Sequence, residues 1–296
     1  MIKKNYLAIF AKSFNWAGFF LPKNVYHDCS KLYAFCRVLD DLVDERTELK
    51  LRIEKFNEIK NIFKKTYELD SNNAKILEQN EYEVIINDMI SIAKSNNIKR
   101  IILDDLFEGI GSDLKQKVHL RSVKDLLIYS YRVAGAVGLM IAKILNVNDP
   151  RSLKGAIDLG IAMQLTNIAR DVIEDKKMNR KYIKPDFENI KATLKLADMF
   201  YESSFSSINK IPFKYRFAII VARRVYRQIG RNIIQKKSMD RYEKSGKIYV
   251  NNFGKVYQTI LSLFDLILLF LKDVESHQRK KEHEIINEEV NLDERI

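Results

Sequence analysis

Cysteine is nearly absent: the 296 residues contain two, Cys29 and Cys36. Two thiols are too few for a disulfide framework or a zinc site. Seven residues apart, they fall on one face of a helix and read as core thiols of a reducing cytosol. Proline (4) and glycine (10) are scarce, which disfavours a loop-dominated chain and favours long helices. No run of 18 uncharged apolar residues occurs, so no membrane span is expected. The nearest stretch, Val256 to Leu271, has Asp265 in its middle. Its second half, Leu261 to Leu271, reads as a buried core helix. The N-terminal stretch carries Lys3, Lys4, Lys12 and Asn15, without the apolar core and cleavage site of a signal peptide. The four histidines, His27, His119, His277 and His283, have no metal-ligand spacing. No linker, internal repeat or strand-like alternation is found.

Hydrophobic residues make up 46% of the chain, enough for a large core. The net charge is +12, with a pI of about 9.4. Such a balance attracts nucleic acid, anionic lipid or phosphorylated small molecules, or simply keeps the surface soluble. The lysines are spread along the chain and no nucleic-acid module is present, so a nucleic-acid partner is not expected.

Helical periodicity runs from about Pro22 to Glu45, Leu49 to Tyr67 and Ala74 to Ala93. Ser122 with Asp125 resembles a capping box and opens a helix ending near Asn146. Asp149-Pro150 starts the next helix. Further periodic segments span Ile190 to Ile208 and Pro212 to Lys236. From about Asp273 the residues are mostly charged and amidic, and read as a solvated helix or frayed tail.

Two acidic clusters carry the chemistry: Asp40-Asp41-Leu42-Val43-Asp44 and Asp171-Val172-Ile173-Glu174-Asp175. Each follows an arginine, Arg37 or Arg170, and each sets carboxylates four residues apart on one side of a helix. On a helical wheel Arg37, Asp40, Asp41 and Asp44 fall within roughly 100°. Gln164, Asn167, Asp171 and Asp175 span about 80°. Ile161, Leu165, Ile168 and Val172 lie opposite. Two such stripes facing each other form a cage of hard oxygen ligands suited to magnesium, whose other ligands are water and phosphate. A diphosphate bridged by metal ions, with arginines at the rim, is the natural guest. A solvated polar face is the competing reading. Against it, the second stripe lacks Lys/Glu pairs and is flanked by small and apolar residues. In Tyr129 to Met140, Gly135 and Gly138 each cost about 1 kcal/mol relative to alanine inside a helix. With Ala134 and Val137 they suit either an apolar tunnel wall or tight helix packing.

Several stretches resemble the squalene/phytoene synthase family. They are Ser13-Phe14, Leu21-Pro22, Leu32 to Glu45, Tyr129 to Met140, and Asp158 to Asp175 continuing to Arg180-Lys181-Tyr182-Ile183. YSYRVAGAVGLM, QLTNIARDVIED and the later Ala222 to Gly230 are most similar to bacterial phytoene synthases. The resemblance covers roughly residues 10 to 260. It implies an all-α, single-domain isoprenoid-synthase bundle around a central cavity, with residues 1–272 catalytic and 273–296 a charged tail. It implies head-to-head condensation of two geranylgeranyl diphosphates to phytoene through a cyclopropyl diphosphate. Magnesium or manganese is implied, as three ions bridged by diphosphate, and NADPH is not.

Position by position, Asp40, Asp41, Asp44, Asp171 and Asp175 match the metal-binding aspartates. Arg37 matches a diphosphate-binding arginine. Gln164, Asn167 and Arg170 match polar residues of the site. Ser13 matches a substrate-contacting serine, and Tyr129 a catalytic tyrosine near the diphosphates. One departure stands at Lys247-Ile248-Tyr249-Val250, where the family carries an arginine; Lys247 or the nearby Arg241 would replace it. A lysine binds phosphate as a point charge, without the bidentate fork. The alternatives are a squalene or dehydrosqualene synthase using farnesyl diphosphate, and a non-catalytic assembly protein. Both clusters being intact argues against the latter. Lipophilic substrates and the basic balance imply a cytoplasmic enzyme on the anionic inner face of the membrane, with a desaturase as possible downstream partner.

Overall fold

In the computed structural model residues 7, 9, 11–68, 81–271 and 280–296 are described. Helices form along the apolar periodicity, some with a side-chain cap at their start and some without. The first are α1 (Lys12–Gly18), α2 (Lys23–Asp44) and α3 (Leu49–Glu68). Next come α4 (Glu81–Ser95) and α5 (Arg100–Gly111). The part of the expected 74–93 helix before residue 81 lies outside the described residues. So do most of the N-terminal segment and the start of the expected tail. Phe35 of α2, Phe56 and Phe63 of α3 and Phe107 of α5 meet as a ring cluster with centroids 5.2–6.0 Å apart. This cluster binds the helix of the first acidic motif to its neighbours.

Ser122 and Asp125 form the expected capping box and open α6 (Val123–Ser130). A π-helical turn, Tyr131–Gly135, interrupts the run before α7 (Ala136–Ile144). Asn146 ends it in the left-handed region at φ 57°, a common helix stop. The Asp149 side chain accepts from Ser152 N and Pro150 occupies the first turn of α8 (Pro150–Lys177). This long helix is the axis of the fold and packs against the π-helical turn, α7, α9 (Phe187–Ser207) and α10 (Phe213–Ile234). Ile161, Leu165, Ile168 and Val172 are buried, as their face of the wheel predicts. Two short strands, β1 (Val118–His119) and β2 (Arg180–Lys181), pair in parallel. Two residues are too few to show an alternating pattern, so sequence reading missed them.

Glycines let α7 and the π-helical turn approach α8 closely. A Cβ at Gly138 would fall on the Ala156 carbonyl, and one at Gly160 on the Ala134 carbonyl. Gly135 packs against Tyr131, Ile157 and Ile161. Tight packing is therefore what these glycines provide, while Ala134, Val137 and Gly138 also line a cavity.

Two expectations are corrected. The 261–271 stretch belongs to α12 (Asn252–Leu271), which follows the short α11 (Met239–Lys244). It is not a buried core helix, because its apolar side is exposed and its polar side faces inward. Asp265 holds Arg224 of α10 through two contacts of 2.6 Å, and Gln258 accepts from Arg224 at 3.3 Å. The segment Val123–Ile144 and α12 are each long and apolar enough to cross a membrane, although the former is mostly buried in protein. The second correction concerns residues 280–296, which are neither solvated nor frayed. Here α13 (Lys280–Asn287) and α14 (Leu292–Arg295) dock on the body. Ile286, Val290 and Leu292 are buried. His283 Nε2 lies 2.6 Å from Asp158 Oδ1, and Arg295 grips Asp105 at 2.9 and 3.1 Å. Alternating charges concealed an apolar stripe that packing selects.

Candidate active site

A cavity of about 910 Å³ runs along α8. This helix lines it with Ser152, Gly155, Ala156, Leu159, Gly160 and Met163, then with Gln164, Asn167 and Arg170. Helical spacing puts all of them on one side, and 18 residues at 1.5 Å rise give a wall about 27 Å long. Its character changes from small and apolar to polar and cationic toward the Arg170 end. Arg37, Asp40, Ser13 and Lys247 also line the cavity, as do the unforeseen Tyr33 and Tyr226. The stripe of Gln164 and Asn167 thus faces an internal cavity rather than bulk water. Cys29 and Cys36 line the wall as free thiols. Burial, reinforced by Asp28, pushes the Cys29 thiol up to about 12. Burial, reinforced by Asp40, likewise raises Cys36. Both remain protonated and unreactive.

On α2, Arg37 pairs with Asp41 one turn on. Asp44 ends the helix, where the dipole disfavours a carboxylate, and takes Arg180 Nη1 of β2 at 2.6 Å. Arg52 Nη1 donates to the Val43 carbonyl at 2.7 Å, covering the same helix end. Asp40 opens into the cavity. Burial and then repulsion from Asp44 push its carboxyl up to about 7.

On α8, Arg170 forks onto Asp171 at 2.8 and 2.5 Å. Lys247 Nζ reaches Asp171 at 3.3 Å and Glu174 at 2.5 Å. Tyr242 of α11 anchors the segment carrying Lys247 by donating to the Ala169 and Arg170 carbonyls at 3.1 and 2.5 Å. Arg241 is exposed and does not line the cavity. Burial and then Asp171 push the Asp175 carboxyl up to about 8, against the pull of Arg180.

Asp113 lies between the clusters, and the sequence reading missed it. Its Oδ2 accepts the hydroxyls of Tyr129 and Tyr182 at 2.8 and 2.7 Å, and the two rings stack at 4.8 Å. Burial raises its carboxyl, and Arg180 counteracts this. Tyr129 is therefore held in a buried triad off the cavity surface. Arg180 and Tyr182 lie in the Arg180-Lys181-Tyr182-Ile183 stretch, and their contacts with Asp44 and Asp113 appear only in the fold. Asp113, in Gly111-Ser112-Asp113-Leu114, has no periodic signal that would have found it.

Divalent metal suits this donor set. Asp40 and Asp175 are pushed up by burial and by carboxylate neighbours, so both stripes are short of positive charge. Asp113 Oδ1 and Asn167 Oδ1 are buried without a hydrogen bond. Among the described residues no three carboxylate, imidazole or thiol groups form a ready cage for one ion. Magnesium needs only one or two carboxylates when phosphate and water complete its shell.

The sequence profile described as squalene/phytoene synthase matches residues 9–186, more than half of the chain. The chain belongs to the squalene/phytoene synthase family. One family relative is the 15-cis-phytoene synthase of Paracoccus sp., 31% identical over 75% of this chain and 78% of that protein. Another, the 15-cis-phytoene synthase of Enterobacter agglomerans, is 28% identical over 77% and 83%. Among solved structures, a dehydrosqualene synthase bound to a ligand superposes with a TM-score of 0.66 at 26% identity, covering 88% of this chain and 94% of that one. The family's all-α isoprenoid-synthase architecture is the one observed here.

Proposed function

We propose that this protein condenses two molecules of geranylgeranyl diphosphate head to head, giving 15-cis-phytoene for carotenoid biosynthesis. The observation that carries the reading is the cavity wall along α8, apolar over most of its length and cationic at one end. Family relatives named 15-cis-phytoene synthase support the product. Breaking the C1–O bond of the first substrate releases diphosphate and leaves an allylic cation. The double bond of the second substrate attacks this cation, and proton loss closes a cyclopropane that retains one diphosphate. Loss of that diphosphate, rearrangement and a final proton loss give the hydrocarbon, so no reductant such as NADPH is needed.

Arg37, Arg170 and Lys247 hold and orient the diphosphates, with Gln164, Asn167 and Ser13 as polar partners. Asp40, Asp41, Asp44, Asp171 and Asp175 would hold Mg²⁺ or Mn²⁺. Bound metal supplies neutralisation of the leaving group. Tyr129, fixed by Asp113 and Tyr182, supports the polar end from behind. The apolar wall orients both prenyl chains and excludes water that would quench a cation. The half-buried thiols of Cys29 and Cys36, raised by desolvation, cannot act as thiolate nucleophiles there. The product has no polar group, so we place the enzyme peripherally at the inner face of the cell membrane. There a desaturase is the class of enzyme that would consume its product.

The test supplies the purified protein and Mg²⁺ with geranylgeranyl or farnesyl diphosphate, followed by chromatography of the hydrocarbon extract. Phytoene, with a higher kcat/KM for the C20 substrate, is expected. A strong farnesyl preference, giving squalene or dehydrosqualene, overturns the substrate assignment and keeps the family chemistry. No product from either substrate points to a non-catalytic assembly role.

A further inference from the structure

Helix α12 is inverted for a surface helix. Its polar residues Lys255, Gln258, Ser262 and Asp265 are buried against the body. Outward it presents Phe253, Tyr257, Ile260, Phe264, Ile267 and Leu271, with Phe253 87%, Phe264 58% and Leu271 77% exposed. The alternation of four and three residues sets them in one line, and 18 residues of helix make that line about 27 Å long. No charged residue interrupts it. Phe213 of α10, itself exposed, packs on Phe270 at 5.8 Å and widens the apolar surface. An apolar patch of this extent marks an interaction surface.

We infer that α12 lies flat in a lipid surface, its outward stripe immersed among acyl chains and the cavity mouth turned toward the bilayer. Four observations select lipid. First, Tyr249, Val250, Asn251, Asn252 and Lys255, which lead into α12 or begin it, also line the cavity. Trp16 of α1, whose neighbours Ser13 and Phe14 line the cavity, donates to Thr259 of α12 at 2.9 Å. Second, exposed lysines border the stripe: Lys214 follows Phe213, and Lys210 sits in the 208–210 turn that packs on α12. These suit anionic headgroups. Third, a second copy docked on the same face would bring like charges together on a chain of net charge +12. Fourth, Asp265 is bound to Arg224 and Gln258 to Gln228, so crossing the bilayer would carry this polar face into hydrocarbon. The choice of lipid rests partly on the proposed hydrocarbon product; the exposed stripe does not.

The test is flotation of the full-length protein with phosphatidylcholine vesicles, with and without phosphatidylglycerol, at low salt and at about 0.5 M NaCl, where charge attraction is strongly screened. The wild type floats in all four conditions, most strongly with phosphatidylglycerol at low salt. The double variant Ile260→Asp/Phe264→Asp loses at least tenfold in partitioning, while Val123→Asp, at an exposed valine on α6, keeps it. Both retain turnover on detergent-dispersed substrate, which reports folding. If the double variant misfolds, Phe264→Gln replaces it, with a loss of severalfold expected. Binding only to anionic vesicles at low salt, or equal binding by wild type and stripe variant, overturns the inference. A dimer in solution that the stripe variant converts to monomer, with vesicle binding unchanged, also overturns it and assigns the face to a second copy. Flotation is read without turnover, so it stands or falls separately from the proposed reaction.

Discussion

Replacing Asp175 with asparagine is expected to stabilise the metal-free protein and to disable it. Burial and Asp171 push this carboxyl up to about 8, from an ordinary value of 3.8. The folded state thus holds a proton that the unfolded chain releases, and stability falls as pH rises between those values. At about 1.4 kcal/mol per unit the full shift is worth about 6 kcal/mol. Asparagine keeps the volume but must find its own hydrogen bonds, which reduces the net gain to about 2 kcal/mol. Near Tm a chain of 296 residues loses stability at about 0.6 kcal/mol per degree, so Tm should rise by about 3 °C at pH 8. The gain should be small near pH 4, grow up to pH 8 and level off above. Mg²⁺ with a non-reactive diphosphate should reverse the order. Ligand at about 100 times its Kd adds about 2.7 kcal/mol to the wild type and far less to the variant. Turnover should fall at least about 100-fold, which corresponds to about 2.7 kcal/mol of lost leaving-group stabilisation. Asp40→Asn, Asp44→Asn and Asp171→Asn should lose turnover similarly. The assays are thermal melts across pH in chelator, the same melts with ligand, and steady-state turnover at limiting Mg²⁺. A lower metal-free Tm at pH 8, or near-normal turnover, would refute the reasoning.

Two further perturbations probe the supports of the site. Tyr129→Phe removes one of two hydroxyls that donate to buried Asp113. A hydrogen bond to a charged group is worth about 2 kcal/mol, so a drop in Tm of about 3 °C is expected, with kcat reduced more than KM raised. An unchanged Tm would mean that Asp113 does not hold this hydroxyl. Arg295→Ala strips Asp105 of its bidentate partner and leaves it with Tyr131, whose hydroxyl donates at 2.8 Å. Breaking a buried pair from one side costs about 3 kcal/mol, and adding Asp105→Asn should recover part of it. A loss below about 0.5 kcal/mol would place this contact at the level of a surface ion pair.

The two acidic stripes were legible because α-helical period alone fixes which side chains share a face. The capping box at Ser122 and the Asp149-Pro150 start were equally local and equally readable. Asp113 was not, since nothing in its neighbourhood announces that Tyr129 and Tyr182 will converge on it from 16 and 69 residues away. Periodicity divided α12 into two faces but could not say which one turns inward. That was decided by Arg224, on another helix, supplying a partner for Asp265. The docked segment hid for a related reason. His283, Ile286 and Val290 have helical spacing, but their charged neighbours dominate its composition, and only Asp158 and Asp105 on distant helices reveal the buried side.

The position of those two partners bears on how the chain reaches its final form during synthesis. Every residue assigned to the diphosphate site precedes residue 250, so the ribosome has made the whole cavity before His283 and Arg295 exist. Until they emerge, Asp105 and Asp158 lack these two partners, while the hydroxyls of Tyr131 and Ser203 are already made. A nascent chain folding from its N-terminal side would therefore hold both carboxylates without these two partners while the proposed metal-binding aspartates are already in place. The contacts of His283 and Arg295 with these carboxylates are thus added after the site itself has been translated.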